Sequence, residues 1–257
     1  MKLIPVSLSL ALALAGLSIV GVASAADEVR LLSATSTVNH AYYWDYQSAE
    51  LDVRVDDAAC GGSVAVHMTD GAGGWIDVST TRLRSAGAGH SVYRAHYAAG
   101  GGSGVVHDLQ FAVKCGSGGQ TFWDNNGGQD YFLDRGAGTL LTSGNVYAHH
   151  TAGAALSGGQ AQGSVILRNI AYAKEVKVVY TTDGWATAHE AYAAYSPDFY
   201  AYTTTSNPSA LGFEAWTFGL DVGSAGSVEY AIAYTANGQT YWDNNFGDNY
   251  VSVITQP

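Results

Sequence analysis

A duplicated stretch limits what this chain can fold into more than any other feature. Gly119-Gln120-Thr121-Phe122-Trp123-Asp124-Asn125-Asn126, then Gly128-Gln129-Asp130-Tyr131, returns near the C-terminus as Gly238-Gln239-Thr240-Tyr241-Trp242-Asp243-Asn244-Asn245, then Gly247-Asp248-Asn249-Tyr250. The strand-like run before each copy aligns without a gap, Leu109–Val113 over Val228–Ile232. Further upstream, Val64-Ala65-Val66 and Trp75 parallel Val176-Lys177-Val178 and Trp185, with a loop two residues shorter in the second copy. Each unit is about 100–115 residues long, the size of an ordinary domain rather than of a solenoid repeat. The spacing predicts two tandem domains at residues 27–135 and 143–257, joined by a link at 136–142 rich in Gly, Ser and Thr.

Inside each unit the apolar signal alternates with period two over short runs, as in Lys174–Tyr180 and Val228–Tyr234. Ala236-Asn237-Gly238 supplies a tight hairpin signal. With 32 glycines and only 13% charged residues, the chain reads as all-β, two tandem β-sandwiches. Before them, Lys2, an apolar run from Leu8 to Val22 and the small-x-small Ala23-Ser24-Ala25 form a secretory leader at residues 1–25. Cleavage after about Ala25 leaves roughly 230 residues and implies a secreted or periplasmic protein. The run is short of the ~20 residues a membrane span needs.

The formal net charge is −11. It offers no basic footprint for nucleic acid or an anionic membrane surface, and it suits a neutral ligand. Cys60 and Cys115 both fall in the first unit, and export makes a disulfide between them the default. A metal or cofactor is not expected, because no Cys/His ligand spacing or phosphate-loop pattern is present. A glycosidase would need two carboxylates across a cleft. Asp124, Asp130, Asp243 and Asp248 instead lie in turn sequences, so the chain is expected not to be an enzyme. The run Gly100–Gly104 lacks a lysine and a following helix, and reads as a flexible loop.

Trp123 and Trp242, each followed by Asp-Asn-Asn, suit a sugar site. An aromatic plate meets the C–H face of a pyranose, and Asp124, Asn125, Asn126, Asp243, Asn244 and Asn245 could serve its hydroxyls. The same Asn residues could equally serve a turn. Trp75 and Trp185 follow Asp-Gly loops and are expected to be exposed ligand contacts, with core packing as the alternative. Tyr131 and Tyr250 are expected to pack inward.

With Leu167–Val176, Tyr180-Thr181-Thr182-Asp183-Gly184-Trp185, Phe213-Glu214, Val228-Glu229-Tyr230 and the closing Tyr241–Asn245 and Asn249-Tyr250, residues 163–253 resemble carbohydrate-binding module family 21, the starch-binding domain of fungal glucoamylase and of glycogen-targeting phosphatase subunits. The resemblance implies an immunoglobulin-like sandwich that binds α-1,4-glucan polysaccharide or maltooligosaccharide at up to two sites. One site would use Trp185, Tyr230 and Trp242. The other would use Tyr172, Phe213 and Tyr195, with Asn169, Lys174 and Glu214 nearby. The first unit keeps Trp75, Phe111 and Trp123, so its first site is expected to survive. Cys60 aligns with Tyr172 and Cys115 with Tyr234, so the disulfide is expected to replace a packed aromatic pair. The resulting expectation is a secreted, non-catalytic glucan-binding protein, with a separate amylolytic enzyme as a candidate partner. The alternatives are a small glucan hydrolase or a sandwich adhesin. Phosphatase targeting is not expected, since the leader implies export and no short basic-Val-x-Phe segment occurs.

Overall fold

A computed structural model describes residues 28–254 apart from Tyr42, Ser103, Ser157 and Gly158; the expected leader at 1–25 lies outside the described residues. The described chain is all-β. The first half contains β1 (Val29–Ala41), β2 (Trp44–Asp56), β3 (Ser63–Thr69), β4 (Trp75–Ser85), β5 (His90–Gly100), β6 (Leu109–Ser117), β7 (Gln120–Asp124) and β8 (Tyr131–Leu133). β9 (Gly138–Leu141) follows. The second half contains β10 (Val146–Leu156), β11 (Gln160–Arg168), β12 (Lys174–Thr181), β13 (His189–Tyr192), β14 (Ala194–Tyr195), β15 (Phe213–Asp221), β16 (Ser227–Ala236), β17 (Gln239–Asp243) and β18 (Tyr250–Val253).

The halves share a strand order. In the first, β7-β6-β3-β4-β5-β2-β1 runs as one curled sheet, with β8 on β6. In the second, β17-β16-β12-β13 and β14-β15-β11-β10 follow the same sequence, with β18 on β16. The sheet breaks where the long β4 is replaced by β13 and β14, which pair with β12 and β15 respectively. Alternation fills the cores. Val64, Val66 and Met68 of β3 point inward with Phe111 and Val113; Val176, Val178 and Tyr180 of β12 do so with Tyr230, Ile232 and Tyr250. The hairpin at Asn237-Gly238 turns with both residues at positive φ, as a two-residue connection requires.

Residues 136–142, expected to be a link between domains, are largely strand: β9 adds to the edge of β1, with Thr139 fully buried. A third apolar cluster joins the halves through Leu32, Val92, Leu141, Tyr147, Ile166, Tyr200 and Phe213. Beside it runs a buried polar chain. The Arg94 guanidinium donates to both Asp52 oxygens at 2.7 and 2.8 Å, and Tyr147 OH donates to Asp52 at 2.7 Å. Arg84 donates to Tyr147 OH and to Asn245 Oδ1, both at 3.0 Å. Burial pushes the Asp52 carboxyl up, but hydrogen bonds and charge from Arg94 outweigh it and hold it below the ordinary carboxylate value.

Cys60 and Cys115 are joined by a disulfide. It does not stand in for a packed aromatic pair. Tyr172 is fully exposed, and Tyr234 packs against Tyr241 and donates its hydroxyl to Arg168 O.

Candidate functional site

The two Trp-Asp-Asn-Asn segments are built alike. Trp123 and Trp242 face solvent; the aspartate after each lies on the opposite face of the strand and turns inward. Asp124 accepts from Leu31 N (2.8 Å), from Tyr131 OH (2.9 Å) and from Asn126 N (3.3 Å). Asp243 accepts the corresponding bonds from Ala148 N (2.7 Å), Tyr250 OH (2.9 Å) and Asn245 N (3.3 Å). Burial pushes the Asp243 carboxyl above its usual value, a push that Ala148 N–H and Tyr250 OH moderate. These carboxylates are anchors for the turn and are not available to sugar hydroxyls, which corrects the expectation for both.

The asparagines divide. Asn125 Oδ1 and Asn244 Oδ1 accept from Gly128 N and Gly247 N, closing one tight turn each. Asn126 and Asn245 adopt left-handed backbone, which Asn tolerates. Asn245 is buried, spanning to Ser85 O and Arg84, so it belongs to the seam between halves rather than to a ligand surface. Asn126 Nδ2 donates to Asp130 O.

The four expected tryptophans are all exposed, at between 39% and 58% of their surface. Trp185 and Trp242 flank a groove of ≈460 Å³ lined by Val179, Ala231, Asn244 and Asn249. Val179 faces Ala231 across β12 and β16, which gives the groove a flat apolar floor. Asn249 is steadied by donating to Glu229 Oε1 at 2.7 Å. Trp185 sits at φ 69°, unusual for a bulky residue and roughly 1–2 kcal/mol unfavourable. The loop that imposes it is tied down. Trp185 N donates to Thr181 Oγ1 (3.0 Å), and Asp183 accepts from Thr187 Oγ1 (2.6 Å), Thr187 N (3.0 Å) and Thr181 Oγ1 (2.7 Å). The Thr187 hydroxyl and N–H, then Thr181, pull the Asp183 carboxyl down to about 2. The groove thus offers two plates, an apolar floor and amide edges. That suits a neutral ring with polar rims and an apolar face. Strand alternation, which puts Val179 outward between inward Val178 and Tyr180, was the available signal for the floor.

Sequence reasoning placed other aromatics wrongly. Tyr230 is fully buried, stacked on Tyr250 at 5.3 Å, and Phe111 is fully buried against Tyr131 at 5.5 Å. Neither ring reaches the surface. Phe213 is buried in the cluster between halves under Arg168. In the second expected site, Lys174 and Glu214 pair at 2.8 Å with both side chains buried; Lys174 also donates to Asn169 Oδ1 at 2.6 Å, and Trp216 Nε1 donates to Glu214 at 3.0 Å. This network holds the strands and leaves exposed Tyr172 and Tyr195 as the ring surfaces there. Tyr195 packs edge-on against Trp216 and donates to Asn207 O.

In the first half His67 takes the place of Val179, facing Ala112 as Val179 faces Ala231. Its imidazole stacks on Trp75 at 4.9 Å and meets Trp123 edge-on at 5.5 Å. Lys114 Nζ lies 5.1 Å over the Trp123 ring. Asp77 contacts both side chains, His67 Nδ1 at 2.7 Å and Lys114 Nζ at 2.6 Å.

An all-β chain with paired exposed indoles over an apolar floor defines a class of non-covalent binding modules for rings with an apolar face. Residues 144–252 match the model of the carbohydrate/starch-binding module family 21. The chain is 31% identical over 98 residues to protein phosphatase 1 regulatory subunit 3C of Bos taurus, covering 37% of this chain and 28% of the relative. It is 39% identical over 88 residues to regulatory subunit 3B of Danio rerio, covering 34% and 29%. The chain thus spans less than a third of these curated relatives. Among solved structures, the starch-binding domain of Rhizopus oryzae glucoamylase, in complex with beta-cyclodextrin and maltoheptaose, is similar at 29% identity over 43% of this chain and 94% of that one, with a TM-score of 0.33.

Proposed function

We propose that this chain holds α-1,4-glucan, as starch, glycogen or maltooligosaccharide, without cleaving it. The groove between Trp185 and Trp242 carries the reading. A glucose unit laid on either indole would bury apolar surface that otherwise faces water, while the Asn244 and Asn249 amides stand at the rim. The first half is read as a divergent copy of the same module, supported by the shared strand order and by the matching bonds of Asp124 and Asp243. Secretion is proposed on the leader at 1–25. A separate amylolytic enzyme acting on the held polymer is proposed as a functional partner.

Retention of the full chain on insoluble starch, with no release of reducing sugar over hours, is the expected result. Failure to bind any maltooligosaccharide, or sustained sugar release lost on changing one aspartate, would overturn it. Mass measurement of the exported product should find a chain beginning near Ala26.

A further inference from the structure

We propose that the tip of the β1–β2 hairpin is an additional glucan-contact platform, outside residues 144–252, carried by Trp44 and Tyr46 with Tyr43 beside them. The choice of ligand rests on the function proposed above.

Tyr42-Tyr43-Trp44-Asp45-Tyr46 places four aromatics in five positions. β1 and β2 pair to their ends, Ala41 opposite Trp44, so Tyr43, Trp44 and Tyr46 lie at the tip of a long hairpin. Tyr43 is 89% exposed, Trp44 59% and Tyr46 44%. Trp44 and Tyr46 are two positions apart on one strand. They therefore share a face, about 7 Å apart. A cluster of large exposed rings on a rigid element is uncommon on a surface without a ligand.

The rings are seated, not loose. Tyr46 pairs with Gly100 on β5. A Cβ at Gly101 would lie 2.1 Å from Tyr46 Cε1, and one at Gly100 would lie 2.0 Å from Asp45 O. Glycine is therefore required at both positions, and the Tyr46 ring rests against the backbone there. Gly100 and Gly101, expected as part of a flexible loop, thus lie close against the base of this hairpin tip.

The chemistry favours a sugar over the other occupants of an aromatic patch. Each ring has a polar edge, phenol or indole N–H, with an apolar face. His40 and Asp45, cross-strand neighbours on the other face of the hairpin, hydrogen-bond to each other. Exposed aromatic plates also flank the Trp185–Trp242 groove, and the net charge of −11 disfavours nucleic acid and anionic lipid. In the second half the sequence between β10 and β11, Ser157-Gly158-Gly159, contains no aromatic, so the aromatic run is peculiar to the first half.

The test compares full-length wild type, Trp44→Ala/Tyr46→Ala and Trp44→Phe for retention on insoluble starch and for maltoheptaose affinity. The expected result is a loss of starch retention of about 5- to 10-fold in the double variant, with unchanged thermal midpoint. Maltoheptaose affinity at the Trp185–Trp242 groove should hold, and Trp44→Phe should keep most retention because it keeps a plate. Unchanged starch retention in the double variant overturns the proposal. So does a variant that alters only self-association in sedimentation, which would make the tip a contact between copies. Wild type that binds neither starch nor maltoheptaose overturns the functional reading itself, a distinct outcome.

Discussion

The tryptophan pairs of the two halves stand on equivalent strands and differ in what lies under and over them. At Trp185 and Trp242 the floor is Val179 and Ala231, and the residue opposite Trp242 is Ala233. At Trp75 and Trp123 the floor position is His67, stacked on one indole, and the residue opposite Trp123 is Lys114, poised over the other. The second half thus leaves the inner ring faces to a ligand, whereas the first covers part of them with its own side chains. An exposed tryptophan is a binding surface only to the extent that its neighbours leave a face uncovered, and two substitutions in a duplicated frame are enough to change that. We therefore expect the second half to dominate binding of short glucans.

Several changes would break or sharpen this contrast. Trp242→Ala should cost the most, about 2 kcal/mol or roughly 30-fold in maltoheptaose affinity by calorimetry, as expected for an aromatic hot spot, whereas Trp123→Ala should cost under 3-fold. Arg84→Ala should leave the Asn245 and Tyr147 acceptors in the seam without their donor. A stability loss of about 1–3 kcal/mol is expected, seen as a fall in the thermal midpoint of several degrees, with the glucan affinity of the intact fold preserved. His67→Val, copying Val179, should uncover Trp75. In a Trp185→Ala background it should raise maltoheptaose affinity about 3- to 10-fold; no gain would mean that the floor residue is not what separates the platforms.

The smallest effect is one of pH. The Asp183 carboxyl is held at about 2 in the folded loop by Thr187 and Thr181. A depressed folded value gives support that is present above the ordinary carboxylate range and is lost as pH falls through about 2. Maltoheptaose affinity should accordingly be level from pH 7 to about 4 and fall only below about 3. A decline centred near pH 6 would point to a histidine instead.

Much of this was legible in the chain. The repeated Gly-Gln-Thr-aromatic-Trp-Asp-Asn-Asn and the period-two runs give the hairpins, the inward Tyr131 and Tyr250, and the exposed tryptophans. Alternation also carried information that family resemblance obscured. In Val228–Tyr234 it sets Tyr230 on the inward face with Val228 and Ile232, and in β17 it turns Asp243 away from Trp242. Other features depend on contacts far apart in sequence. Phe213 and Asn245 are buried because the halves meet, through Leu32 and Leu141 in one case and Ser85 and Arg84 in the other. β9 forms because β1 offers an open edge, which the Gly-rich composition of 136–142 does not announce.

Indole N–H signals of the six tryptophans, followed by NMR during a maltoheptaose titration, test the central claim most directly. Glucan chains are expected to settle first between Trp185 and Trp242, so those two signals should move at the lowest concentrations, with Trp75 and Trp123 following only at higher ones. Stationary Trp185 and Trp242 signals, or prior movement of Trp75 and Trp123, would contradict the account.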